Sequence, residues 1–171
     1  MRRLFLLTMV LLMILASVAA GSELEKKTLD GISGFYVEAD VNPGNSALRL
    51  RDADVQNDVE MVLRKAQIPV FLEGELMGDS LWNAATVHIS IEAQADTMHT
   101  EKGCLFAHYI LDVRQNARLE RDTTVMAPTV TWRVTGFELC RAGNAAQQVR
   151  QAIADAAGKL VADFRQINPL E

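Results

Sequence analysis

Two cysteines, Cys104 and Cys140, are all the chain has, and they form no CxxC pair. Thiol–disulfide redox chemistry therefore has no motif to work through. No cysteine follows the opening apolar run, so the sequence offers no lipid-attachment site of the lipoprotein kind. After residue 20 no stretch approaches the ~20 apolar residues that a spanning helix needs. Positive charge is also scarce: 17 Lys and Arg stand against 22 Asp and Glu, a net charge of -5. Without Arg2 and Arg3 the net charge is -7. Nucleic-acid binders need a basic face, and adhesion to anionic lipid needs one too, so both classes are disfavoured.

Nucleophile and phosphate motifs are missing as well. There is no GxSxG, and Ser80 and Ser90 have no distinctive neighbours. Gly31-Ile32-Ser33-Gly34 precedes a strand-like run, the wrong side for a strand–loop–helix phosphate cradle. Asp52, Asp54, Asp58 and Glu60 miss the spacing of a calcium loop and read as acids near the positive end of a helix dipole.

What is present begins with an export signal. Met1-Arg2-Arg3 is short and positive, Leu4 to Leu15 is apolar apart from Thr8, and Ala16-Ser17-Val18-Ala19-Ala20 is small. Those three parts predict a cleavable signal over 1–20, with the cut after Ala20 or one residue earlier. A polar lead-in over 21–33 and a single domain over 34–169 follow. The expected location is periplasmic or secreted, with no stable membrane anchor after cleavage. The oxidising setting predicts a Cys104–Cys140 disulfide.

Alternating apolar residues mark strands. Phe35, Val37, Ala39 and Val41 give the first, and Val87, Ile89, Ile91 and Ala93 another. Leu105 to Leu119 and the run around Val130-Thr131-Trp132-Arg133-Val134 give two more, with Val70-Phe71-Leu72 as a short fifth. Pro128 places the last long strand at an edge or an irregular entry. Val55, Val59, Val62, Leu63 and Ala66 form one helical stripe over about 53–67, with Asp52 or Asp54 as its cap. Val149, Ile153, Ala156, Leu160, Phe164 and Ile167 form another, starting from Asn144. Gly158 inside it suggests a close helix–sheet contact. The order β-α-β-β-β-β-α predicts an α+β two-layer sandwich: a mainly antiparallel sheet of about five strands with two helices on one face. A hairpin centred near Asp122 would set Cys104 opposite Cys140.

His88 and His108 lie in the polar phase of neighbouring strands, and with Glu92 they are the one candidate metal set. Two solvated strand residues account for the same pattern, and no recognised ligand spacing is present. Trp132 reads as core and Trp82 as a loop residue packed over the sheet edge. No cofactor is called for. The expected partner is an envelope protein or a small ligand, held by a non-enzymatic domain, with an edge strand at 35–41 or 70–72 as the docking element. The rival readings are a small hydrolase or metal enzyme built on His88, His108 and Glu92, and a subunit that self-associates through its sheet edge.

Phe35-Tyr36-Val37-Glu38, the helix end Leu63-Arg64-Lys65-Ala66-Gln67-Ile68-Pro69-Val70, Thr131-Trp132 and Asp163-Phe164-Arg165-Gln166-Ile167-Asn168-Pro169 together resemble small exported bacterial proteins of uncharacterised function. Gln67 stands where that pattern usually has Gly. The helix exit is also similar to helix-to-strand turns in small periplasmic α/β domains of envelope assembly proteins. The resemblance implies an exported α+β domain and carries no catalytic residues over.

Overall fold

The computed structural model describes residues 23–72, 75, 83–95, 103–141 and 143–169. The expected signal at 1–20, Trp82, and most of the connections at 73–83 and 96–102 lie outside the described residues. Strands β1 (Gly34–Asn42), β2 (Ala84–Ala95), β3 (Cys104–Leu119) and β4 (Asp122–Arg141) form one sheet in the order β1-β2-β3-β4. Helix α1 (Asp52–Lys65) follows β1, and α2 (Ala145–Ile167) follows β4. β1 and β2 are parallel because α1 carries the chain back across the sheet, whereas β2–β3 and β3–β4 are antiparallel. The architecture is α+β with a four-stranded mixed sheet. The expected fifth strand is a single parallel bridge, Phe35 to Val70. A three-residue apolar run has too few backbone groups to sustain a ladder beside Pro69.

One sheet face takes every strand's apolar phase. Phe35 and Val37, Val87, Ile89 and Ile91, Leu105, Leu111 and Val113 are all buried there. The helices cover this face with Val55, Val59 and Leu63 from α1 and Val149, Ile153, Ala156, Leu160 and Phe164 from α2. Trp132 is core, and its indole N–H donates to Asp163 on α2 at 3.1 Å. Gly158 faces away from the sheet with open space around it, so no close contact explains it. The sheet's true close approach is Gly136, where an added Cβ would collide with the Tyr109 ring.

The segment before β1 is anchored. Leu29 is fully buried, and the side-chain amide of Asn168 donates to its carbonyl at 2.9 Å. Thr28 reaches β4 as well, its hydroxyl donating to the Thr131 carbonyl at 3.1 Å.

Helix ends follow different chemistry from the expected caps. Arg51 is the N-cap of α1 and Asn144 that of α2, and neither makes a side-chain cap bond. Asp52 instead accepts from the Val41 amide at 2.9 Å, and Asp54 is held by Arg51 at 2.8 and 2.9 Å. At the far end of α1, Ile68 N–H donates to Leu63 O at 3.0 Å, closing a Schellman turn around Gln67 at φ 57°. A left-handed residue here explains the Gly of the resembling proteins. Relief of the Cβ strain makes Gln67→Gly stabilising by about 0.5–1 kcal/mol, offset in part by glycine's backbone entropy. Urea denaturation reads the shift, and an unchanged midpoint contradicts it.

Candidate functional site

Among the described residues the sheet's other face has no helix on it, so its polar phase forms an open surface. Two features stand out there. The first is a charged cluster at its centre. Asp112 is only 2% exposed although it sits on this open side. Arg114 Nε donates to its Oδ1 at 2.9 Å and Arg133 Nη2 to its Oδ2 at 3.1 Å. Arg114 Nη2 also lies 2.8 Å from His88 Nδ1. A guanidinium has only donors, so Nδ1 accepts and the ring proton sits on Nε2. The 3.9 Å approach of His88 Nδ1 to Asp112 is therefore not an ion pair. Both Asp112 oxygens are occupied by cations, so this carboxylate is a structural anchor and not a free base. The signal for it was in the sequence: Asp112 and Arg114 are two apart in a strand, and Arg133 lies in the polar phase of the next strand.

The candidate metal set does not assemble. Glu92 and His108 are direct cross-strand partners, but His88 pairs with Asp112, four residues further along β2. At about 3.3 Å per residue, His88 and His108 are roughly 13 Å apart along the sheet, too far to share an ion. Among the described residues no group of three potential ligands converges.

The second feature is apolar. Phe106, Phe137 and Leu139 are 41%, 75% and 61% exposed. Leu139 lies opposite Phe106, and Phe137 opposite His108, with the Phe137 and His108 rings stacked at 4.5 Å. All sit in the phase that should be polar, the one discernible hint in the sequence. They border β4, whose outer edge pairs with no other strand among the described residues. The β1 edge is engaged at its two ends: it hydrogen-bonds to 69–71 through both backbone groups of Phe35, and Asp52 takes its Val41 amide. Among the described residues β4 is the terminal strand with no such backbone pairing along its edge, one of the two readings that Pro128 allows.

The cysteines flank this surface. The register expected from a turn near Asp122 holds from Arg114↔Val130 to Arg118↔Met126. The ladder then slips between Val113 and Arg114, leaving Thr131 as an extra residue in β4. Its hydroxyl accepts from Gln115 Nε2 at 2.7 Å and its carbonyl takes the Thr28 hydroxyl at 3.1 Å. The slip sets Cys140 against Leu105 and Cys104 against Arg141. Adjacent strand residues point to opposite faces, so the thiols face apart, and both are free. Burial, with Glu138 adding to it, pushes the Cys140 thiol pKa up. We expect a thiol reagent at neutral pH to modify Cys104 alone in the folded protein and both cysteines in denaturant. No reaction even in denaturant shows a disulfide and contradicts this pairing.

No family model matches the chain, and no curated protein matches it. Solved structures to which the chain bears a likeness include PelC from Paraburkholderia phytofirmans, a dodecamer, at 15% identity and a TM-score of 0.43, covering 74% of this chain and 85% of that one. A minor lipoprotein from Acinetobacter baumannii shares 7% identity at a TM-score of 0.38 over 78% of this chain and 92% of its own. Rare lipoprotein B from Shewanella oneidensis shares 9% at 0.39, over 78% and 96%. All three likenesses are partial.

Proposed function

We propose that this protein is an exported, non-enzymatic interaction domain of the cell envelope, which holds a partner protein by adding one of its strands to β4. The observation that carries the reading is the exposed trio Phe106, Phe137 and Leu139 beside the free β4 edge. A partner strand there gains main-chain hydrogen bonds from the edge and covers apolar side chains that water otherwise surrounds. The signal-like opening of the chain supports export, and no helix among the described residues is long and apolar enough to cross a membrane.

The test uses the full chain expressed in cells, with a photo-crosslinking residue at Phe137 or, as control, at Gln148 on α2. A discrete adduct from Phe137 alone, abolished by Leu139→Lys, is the expected result. An adduct equal to two copies of the chain establishes self-association in place of a separate partner. No adduct, or the same adduct from both positions, overturns the reading.

A further inference from the structure

The helix layer carries a second surface, remote from the open sheet face. Helix α1 turns Asp58, Met61, Val62 and Lys65 to one side, a stripe of i, i+3, i+4 and i+7. Together with α2 and the loop before α1, this stripe walls an open groove of about 940 Å³. Small-molecule sites run from about 300 to 1,000 Å³. The groove has two kinds of lining. Met61, Val62, Ala146 and Ala154 make it apolar, and Met61 is left 49% exposed there. Alanines on α2 leave room that larger side chains would fill, and methionine adapts to an apolar guest.

The charges on the rim do not cancel. Arg150 is spent on Asp58, with contacts of 2.6 and 2.7 Å. Arg49 and Lys65 also line the groove and make no ion pair with any described residue. A local positive excess over an apolar floor, on a chain of net charge -5, selects for a ligand with a negative head and an apolar tail. We infer that the groove between α1 and α2 binds a long-chain carboxylate, its head between Arg49 and Lys65 and its tail along Met61, Val62, Ala146 and Ala154. The two helices that form it are the ones that seal the core, so the site is built on rigid elements. It shares no residue with the β4 surface, and its success or failure is independent of the partner reading.

Titration calorimetry on the purified full chain tests this with three probes: laurate below its micellar concentration, inorganic phosphate, and dodecyl maltoside. Laurate is expected to bind with about one molecule per chain, more weakly as salt is raised. Arg49→Glu with Lys65→Glu is expected to weaken it by at least about tenfold while lowering the melting temperature by only a few degrees, since both side chains are exposed and the acid at the end of α1 costs no more than about 1–2 kcal/mol against the helix dipole. Binding of dodecyl maltoside as tight as that of laurate overturns the inference, since the head would then not matter. Equal binding of phosphate overturns it from the other side. Absence of laurate binding, or unchanged laurate binding in the charge-reversed variant, also ends it.

Discussion

Replacing Arg114 and Arg133 together by methionine is expected to destabilise the protein by about 3–5 kcal/mol, the range for stranding a buried charge. The two guanidiniums are the cations that meet Asp112, at 2.9 and 3.1 Å, and Asp112 is 2% exposed. Without them the carboxylate keeps only the His88 ring, 3.9 Å away, and little water to replace them. Removing the acid is a smaller insult. Arg114 and Arg133 keep 38% and 46% of their side-chain surface in solvent, so Asp112→Asn leaves cations that water can still hydrate. That variant is expected to lose about 1–2 kcal/mol, comparable to losing charged hydrogen bonds. Adding Asp112→Leu to the double variant should recover most of its loss, because no buried charge remains. Urea denaturation of the three proteins measures the asymmetry. If the double arginine variant is no less stable than Asp112→Asn, the cluster is surface decoration and its anchoring role falls.

Phe35→Ala carries the other large effect, about 3–5 kcal/mol from lost burial and an unfilled cavity. Phe35 is fully buried, edge-on to Phe164 of α2 with ring centroids 5.5 Å apart. Its backbone also ties β1 to 69–71, so the side chain sits where β1, the exit of α1 and the end of α2 meet. A fall of roughly 6–20 °C in melting temperature is expected, at ~2–4 °C per kcal/mol for a chain of this size. Phe137→Ala is the contrast, since that ring is 75% exposed and its removal should move stability by less than about 0.5 kcal/mol. Equal shifts for the two variants would mean that Phe137 is packed in solution, which removes the apolar docking surface as well.

The contrast between these two phenylalanines shows how far the sequence could be read. Period-two alternation placed β1, β2, β3 and the inner half of β4, because one face of each is dry and the other wet. Helical stripes placed α1 and α2 for the same reason. Phe137 and Leu139 broke that rule quietly, since an apolar residue in a polar phase looks like noise until its neighbours across the ladder are known. Register was the part that could not be read. Thr131 is an extra residue in a run of β-branched and aromatic side chains, and nothing in Thr129-Val130-Thr131-Trp132 marks it. Its presence moved Cys140 from Cys104 to Leu105 and Trp132 from Asp112 to Val113. Short elements failed differently: Val70-Phe71-Leu72 has strand composition but only one bridge. The helix caps failed because Asp52 and Asp54 found partners in β1 and Arg51, choices set by tertiary neighbours. Asp112 and its arginines were legible only as a spacing, and the burial of the acid depends on the register that sets Arg133 beside it.

The seam between the Leu29 segment and the end of α2 bears on when this molecule becomes a native object. Asn168 donates to Leu29 and accepts from Gly31, and Lys26 meets both Asp163 and Gln166. A ribosome adding ~5–20 residues per second takes roughly 7–28 s to travel from one side of that seam to the other. Throughout that interval the nascent polymer lacks its closing helix, and Phe35 lacks the Phe164 ring that covers one side of it. If the chain is exported as proposed, it is open to translocation throughout that interval, and closing the seam falls to the far side of the membrane.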